Sequence, residues 1–196
     1  MNINNNYTPN FKAKYISTVE VEKMRTFTKK YKDTPVSFVE INHKNKKDIK
    51  AIDNVAKKWK TAIFADNIRD TVHNIADGYL SNKYAKVYAL TEQTKNFENL
   101  KSKDILCLAD INDCDNFLTI NFLQVKPEYI SGTKSQKFKH VGSGTIDAIK
   151  KKYKNHLISL YSTEKAIPFY ENQNFEHESI GSKYLYWKSD FDGVNV

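Results

Sequence analysis

Residues 117–125 hold apolar side chains whose spacing changes partway along. Leu118, Ile120 and Phe122 recur with a period of two, as one face of a strand does. Leu123 and Val125 keep that period in the opposite phase. In a half-buried strand, a slip of one residue sends side chains to the wrong face. Two arrangements accommodate it. A β-bulge between Phe122 and Leu123 absorbs one residue and bends the strand. Alternatively, the strand is buried on both faces and phase hardly matters.

The segments around it read as alternating strands and helices. Val36, Phe38, Val39 and Ile41 form a first strand rich in β-branched and aromatic residues. Ile49, Ile52, Val55, Ala56, Trp59 and Ile63 then repeat at three and four residues, giving one helical stripe with Asp48 in its first turn. Ile68, Val72, Ile75 and Tyr79 mark a second helix, ended by Asp77-Gly78. Strands follow over 86–91 and 105–111. A polar connection at 112–116, of hairpin length, leads to 117–125. A polar loop over 130–140 leads to a helix with Ile146, Ile149 and Tyr153 inward. A short strand at 157–161 precedes a helix carrying Ala166, Phe169 and Tyr170, where Pro168 is tolerated in the first turn and Asn174 ends the helix. Closing strands fall near 175–179 and 184–187, with Gly181-Ser182 turning between them. These elements make one mixed α/β domain over 34–196. Residues 1–33 read as an Asn-rich, basic, partly flexible arm, with Val19, Val21, Met24 and Phe27 available for docking.

Composition narrows the classes. At 196 residues the chain can bury a core without disulfide or metal staples. No stretch approaches the ~20 apolar residues needed to span a bilayer, and the start has no secretory apolar region. Cys107 and Cys114 match no zinc spacing, so no metal is expected. Cys107, in an apolar run, reads as a buried thiol in a reducing cytoplasm. The net charge of +8 is uneven: residues 1–32 carry +5, residues 134–154 carry +6, and the remainder carries −3. That is not a generally basic surface for coating nucleic acid. The remainder is compatible with attracting a cationic amine.

The pattern strand, loop, Gly142-Ser143-Gly144, helix offers free backbone N–H groups at a positive dipole end, a phosphate-binding arrangement. A tight helix entry is the structural alternative for the two glycines. Lys134, Lys137, Lys139 and His140 precede them, and Lys137 and Lys139 share their loop. Lys150, Lys151 and Lys152 read as a solvated helix end that complements the dipole.

Two motifs in order resemble the GNAT superfamily of N-acetyltransferases. Leu123-Gln124-Val125-Lys126-Pro127, then Lys139-His140-Val141-Gly142-Ser143-Gly144, resembles the family's acetyl-CoA motif. Ala166-Ile167-Pro168-Phe169-Tyr170-Glu171, running on to Asn174-Phe175, resembles its later helix. The resemblance covers 36–188 and is most specific over 117–175. It implies a mixed, mostly antiparallel sheet with a bulged, splayed central strand flanked by helices. It implies that Phe122, Leu123, Gln124 and Val125 run along the pantetheine arm of acetyl-CoA. The amides of His140, Val141, Gly142, Ser143, Gly144 and Thr145 would hold the pyrophosphate, with Lys137, Lys139 and Thr163 beside the cofactor. Tyr170 matches the residue that protonates the departing thiolate. The implied reaction is direct attack of an amine, from a small molecule or a protein, on the thioester of acetyl-CoA, in a monomer or homodimer.

A base is needed to make the amine neutral. Glu92 and Asp110 are the candidates, with Glu92 preferred. The sequence departs from the family at Lys139, where Gln or Arg is usual, at Thr163 for Asn, at Asn174 for Gly, and in its long loop over 127–142. Two other classes fit parts of the chain. One is a noncatalytic module that keeps the fold to bind CoA or a protein. The other is a nucleic-acid-associated protein using the basic arm.

Overall fold

A computed structural model of the protein describes residues 12–60, 62–130 and 136–189. The Asn-rich start and Lys134 lie outside them. Nine strands form one sheet: β1 (Lys14–Met24), β2 (Tyr31–Glu40), β3 (Ala85–Thr91), β4 (Ile105–Cys114), β5 (Phe117–Val125), β6 (Phe138–Lys139), β7 (Leu157–Tyr161), β8 (Glu176–His177) and β9 (Tyr184–Trp187). Their order is β6-β1-β2-β3-β4-β5-β7-β9-β8, and every pairing is antiparallel except β5 with β7.

Helices α1 (Lys46–Lys58) and α2 (Ile63–Ala76) cover one face. They bury Ile52, Val55 and Ile68 against Val39, Ala89 and Leu108. Helices α3 (Val141–Lys152) and α4 (Ile167–Glu171) cover the other, burying Ile146, Ile149 and Tyr170 against Phe38, Leu106 and Leu118. The expected mixed sheet flanked by helices is the fold observed.

Three expectations shift. The first helical stripe was extended to Ile63, but α1 closes at Trp59, whose N–H bonds the Val55 carbonyl; Ile63 opens α2 and is exposed. Tyr79 lies past the end of α2, beyond the positive-φ Gly78, and is exposed too. A run of apolar residues at helical spacing does not reveal a break between two helices when the spacing continues across it.

The third concerns the arm. Residues 14–24 are a strand of the sheet, paired along β2 from Lys14–Glu40 to Met24–Tyr31. Val19 and Val21 alternate toward α3, while Glu20 between them is exposed. A Cβ at Gly144 would meet Val19 Cγ1 at 2.8 Å. Gly144 thus lets α3 lie close on β1. The long loop before α3 returns to this strand as β6, with Glu22 opposite Lys139 and Lys23 opposite Phe138. Charged residues interleaved with the valines hid a half-buried strand inside what the sequence reads as a partly flexible, partly docked arm.

Candidate active site

The site grows out of the irregularity in β5. Asp110 pairs with Phe122 and Ile111 with Ile120, so Asn121 is the extra residue of a bulge. The expected slip lay one step later, between Phe122 and Leu123. The difference follows from Phe122. It does not share a face with Leu118 and Ile120 but turns to the α2 side, its ring centroid 5.4 Å from that of Phe64. Leu123 and Val125 return to the face of Leu118 and Ile120.

Beside the bulge the sheet opens. The parallel ladder between β5 and β7 runs from Phe117–Leu157 to Ile120–Leu160 and stops there. Among the described residues, 121–125 have no strand partner on that side. A bent strand cannot follow a straight neighbour, so its edge N–H and C=O groups are left available to an extended ligand. Gln124 is buried and donates from Nε2 to the Val125 carbonyl at 2.8 Å.

Helix α3 starts at this end of the sheet. His140 caps it in the left-handed conformation, φ 60°. The Gly144 N–H bonds the His140 carbonyl at 2.9 Å, while the N–H groups of Val141, Gly142 and Ser143 have no intrahelical acceptor. A Cβ at Gly142 would stand 3.2 Å from Phe169 and 3.4 Å from Val125. Gly142 therefore keeps a narrow space between the loose end of β5 and α4. The Thr145 hydroxyl points inward, donating to the Val141 carbonyl at 2.8 Å beside the buried Cys107.

The basic residues are already engaged. Lys137 Nζ is 3.2 Å from Glu92, Lys139 Nζ lies 3.9 Å from the Tyr31 ring centroid, and His140 Nε2 is 3.6 Å from Glu22. Glu92 also receives Lys23 at 2.7 Å. Burial pushes its carboxyl upward, but the two lysines outweigh burial and hold it below its ordinary range. A carboxylate stabilised as an anion is a weak proton acceptor. Asp110 has the opposite environment. Burial raises its pKa despite hydrogen bonds from Thr71 Oγ1 at 2.6 Å and Asn121 Nδ2 at 3.2 Å. It sits at the bulge, on the α2 side.

Tyr170 comes from the other face. It is 8% exposed and packs edge-on against Phe169 and Phe175. Burial first, then the Cys107 thiol nearby, push its phenol above the ordinary value. Pro168 opens α4, and Asn174 takes φ 57° after it, as the sequence implied. Thr163 precedes a short 3-10 turn, Glu164–Ala166, and reaches a groove of about 650 Å³ on the α2 side of the bulge. Phe64, Asn121, Phe122 and Tyr161 line that groove with it. Asn121 and Phe64 escaped sequence reading. A polar residue at the phase slip was the available signal for Asn121; nothing local marked Phe64.

Among the described residues no group of three or more His, Cys, Asp or Glu side chains could hold a metal. No described helix is long and apolar enough to cross a membrane.

No family model and no curated protein matches the chain. Solved structures do. The ribosomal-protein-S18-alanine N-acetyltransferase of Escherichia coli is 12% identical, covers 82% of this chain and 98% of its own, and has a TM-score of 0.52. The PaiA N-acetyltransferase of Thermoplasma acidophilum, solved with coenzyme A, is 15% identical over 64% of this chain and 70% of its own, TM-score 0.41. A putative streptothricin acetyltransferase of Bacillus anthracis, solved with acetyl coenzyme A, is 11% identical over 90% and 88%, TM-score 0.38. The chain has the fold of the GNAT N-acetyltransferases.

Proposed function

We propose that the protein is an acetyl-CoA-dependent N-acyltransferase. The observation that carries this reading is the gap between β5 and β7, which opens at Asn121 and ends near the free amides of Val141, Gly142 and Ser143. Extended backbone on one side and unpaired N–H groups at the end fit a pantetheine arm with its pyrophosphate. Gly142 fits the same ligand, since a side chain there would crowd Val125 and Phe169.

Acetyl-CoA would supply an acetyl group activated as a thioester. The edge of β5 would orient it and offer backbone N–H groups to the carbonyl oxygen. As the amine nitrogen forms its C–N bond, the C–S bond breaks and sulfur leaves with the electron pair. Tyr170 would give that sulfur its proton, and the proton lost by nitrogen returns to solvent, from which the phenol is restored. Burial keeps the phenol protonated at neutral pH and also makes it a weaker acid than a free tyrosine, so its part in the reaction rests on position rather than on acidity. Glu92, bound by Lys23 and Lys137, anchors the loop before α3 in this reading rather than serving as base. Both described cysteines are free, which fits a reducing cytoplasm.

Thermal shift tests the assignment. Acetyl-CoA at 100-fold over its dissociation constant should stabilise the fold by about 2.7 kcal/mol, and no shift would reject the cofactor. Tyr170→Phe should then lower kcat by about 10²-fold or more with the shift retained. Unchanged turnover would remove Tyr170 from the chemistry.

A further inference from the structure

Resting on that acyltransferase reading, we propose that the groove on the α2 side of the bulge selects a small primary amine carried on one aromatic body, with no second positive charge. Its wall is apolar. Phe64 at the start of α2 packs at a tilt against Phe122 of the bulged strand, and Tyr161 at the end of β7 lines the same space. Tyr161 is 73% exposed, a large apolar surface left open at the rim. The groove's volume of about 650 Å³ falls within the range of small-molecule sites, about 300–1,000 Å³.

Its charges oppose a polycation. Lys165 and Lys183 both line the groove, and the one carboxylate on its lining, Glu164, is 2.7 Å from Lys183 Nζ. A polyamine or an aminoglycoside would bring several ammonium groups to a rim whose anion is already matched. A single amine avoids that repulsion. Lys165 and Lys183 on the lining also disfavour its charged form, which helps supply the neutral nucleophile.

Asn121 gives the amine its polar contact. Thr71 and Asn121 both donate to Asp110, from Oγ1 at 2.6 Å and Nδ2 at 3.2 Å. Using Nδ2 on the buried carboxylate leaves Oδ1 of Asn121, which lines the groove, as the acceptor for an amine N–H. Asp110 and Thr71 are then positioning residues, holding the carboxamide with its oxygen toward the substrate.

The test compares 2-phenylethylamine, spermidine, kanamycin and a peptide with a free N-terminus. Thiol release from acetyl-CoA measures turnover, and calorimetric titration of the full chain measures binding of each amine directly. The expected result is a kcat/KM for 2-phenylethylamine at least about tenfold above the other three, with Phe64→Ala raising its KM about tenfold and leaving kcat nearly unchanged. Asn121→Asp, which keeps the acceptor but sets two carboxylates together, should make amine turnover more dependent on pH than Phe64→Ala does. Preference for spermidine, kanamycin or the peptide overturns the proposal, as does failure of 2-phenylethylamine to bind. If acetyl-CoA stabilises the protein in either of those cases, the groove's selectivity alone is wrong. If acetyl-CoA gives no stabilisation, the acyltransferase reading falls as well, while calorimetric binding of 2-phenylethylamine that Phe64→Ala weakens would still uphold the groove.

Discussion

Single residues set the properties of the buried polar groups. Tyr170 and Asp110 are both buried, and burial pushes both toward their neutral forms. They approach from opposite faces of the sheet, Tyr170 with α4 and Asp110 under α2. Asp48 shows the same force away from the site. It is fully buried in the first turn of α1, accepting from the Asn42 N–H at 3.1 Å and from Asn45 Nδ2 at 3.0 Å. Burial, opposed by backbone hydrogen bonds from Asn42 and Leu100, raises its pKa from 3.8 to about 7. The folded chain therefore keeps a proton over a range where the unfolded chain has lost it. This contribution to stability falls as pH rises from about 4 to about 7. Urea unfolding of the wild type and Asp48→Asn across that range should show the difference, wild type minus variant, shrinking with rising pH. A constant difference would mean that Asp48 is ionised throughout.

At the scale of elements, the bulge in β5 is the decisive device. Without Asn121 the sequence reads as a regular strand: Leu118, Ile120, Leu123 and Val125 on one face, Phe122 and Gln124 on the other. The extra residue is what stops the β5–β7 ladder at Ile120–Leu160. Deleting Asn121 should give a folded chain with unchanged far-UV circular dichroism, because no buried side chain changes face. The same deletion should abolish the rise in melting temperature with acetyl-CoA, because the strands no longer part. Retained stabilisation would remove the bulge from the binding site. The start of α3 shows how one motif meets two demands. Gly142 clears space beside Val125 and Phe169, whereas Gly144 admits Val19 of β1. Only the first concerns a ligand, although both belong to one Gly-x-Gly.

For the whole molecule, the basic N-terminal segment changes meaning. Lys23 reaches Glu92, Glu22 faces His140, and the loop before α3 pairs with β1 as β6. The two basic stretches of the sequence meet at one edge of the sheet, where acidic side chains offset part of their charge. Burial of Val21 alone is worth about 1.5–3 kcal/mol, against a total stability of about 5–15 kcal/mol for a domain. Removal of residues 1–33 takes that burial, the β1–β2 ladder and the strand that β6 pairs with. The truncated chain should lose cooperative thermal unfolding. A truncated chain that melts like the full one would make the segment an appendage.

The order of the larger elements after residue 34, the Gly-x-Gly helix entry, the left-handed Asn174 and an irregularity in β5 were legible in the sequence, because each depends on neighbours a few residues apart. Period-two and period-three-to-four spacing, turn residues and caps are local quantities. Other features required the tertiary structure. The face taken by Phe122 depends on Phe64 in α2, and the fate of Glu92 on lysines from β1 and from the loop before α3. Asp110 became distinct from any surface carboxylate only when α2 covered it. Sequence spacing thus determined most of the elements after residue 34 and that one strand breaks its rhythm, while the position of the break and the strand at 14–24 came from the fold. Long-range packing decided which polar groups are buried, which charges are matched and what the break opens onto, since desolvation and ion pairing act between residues that only the fold brings together.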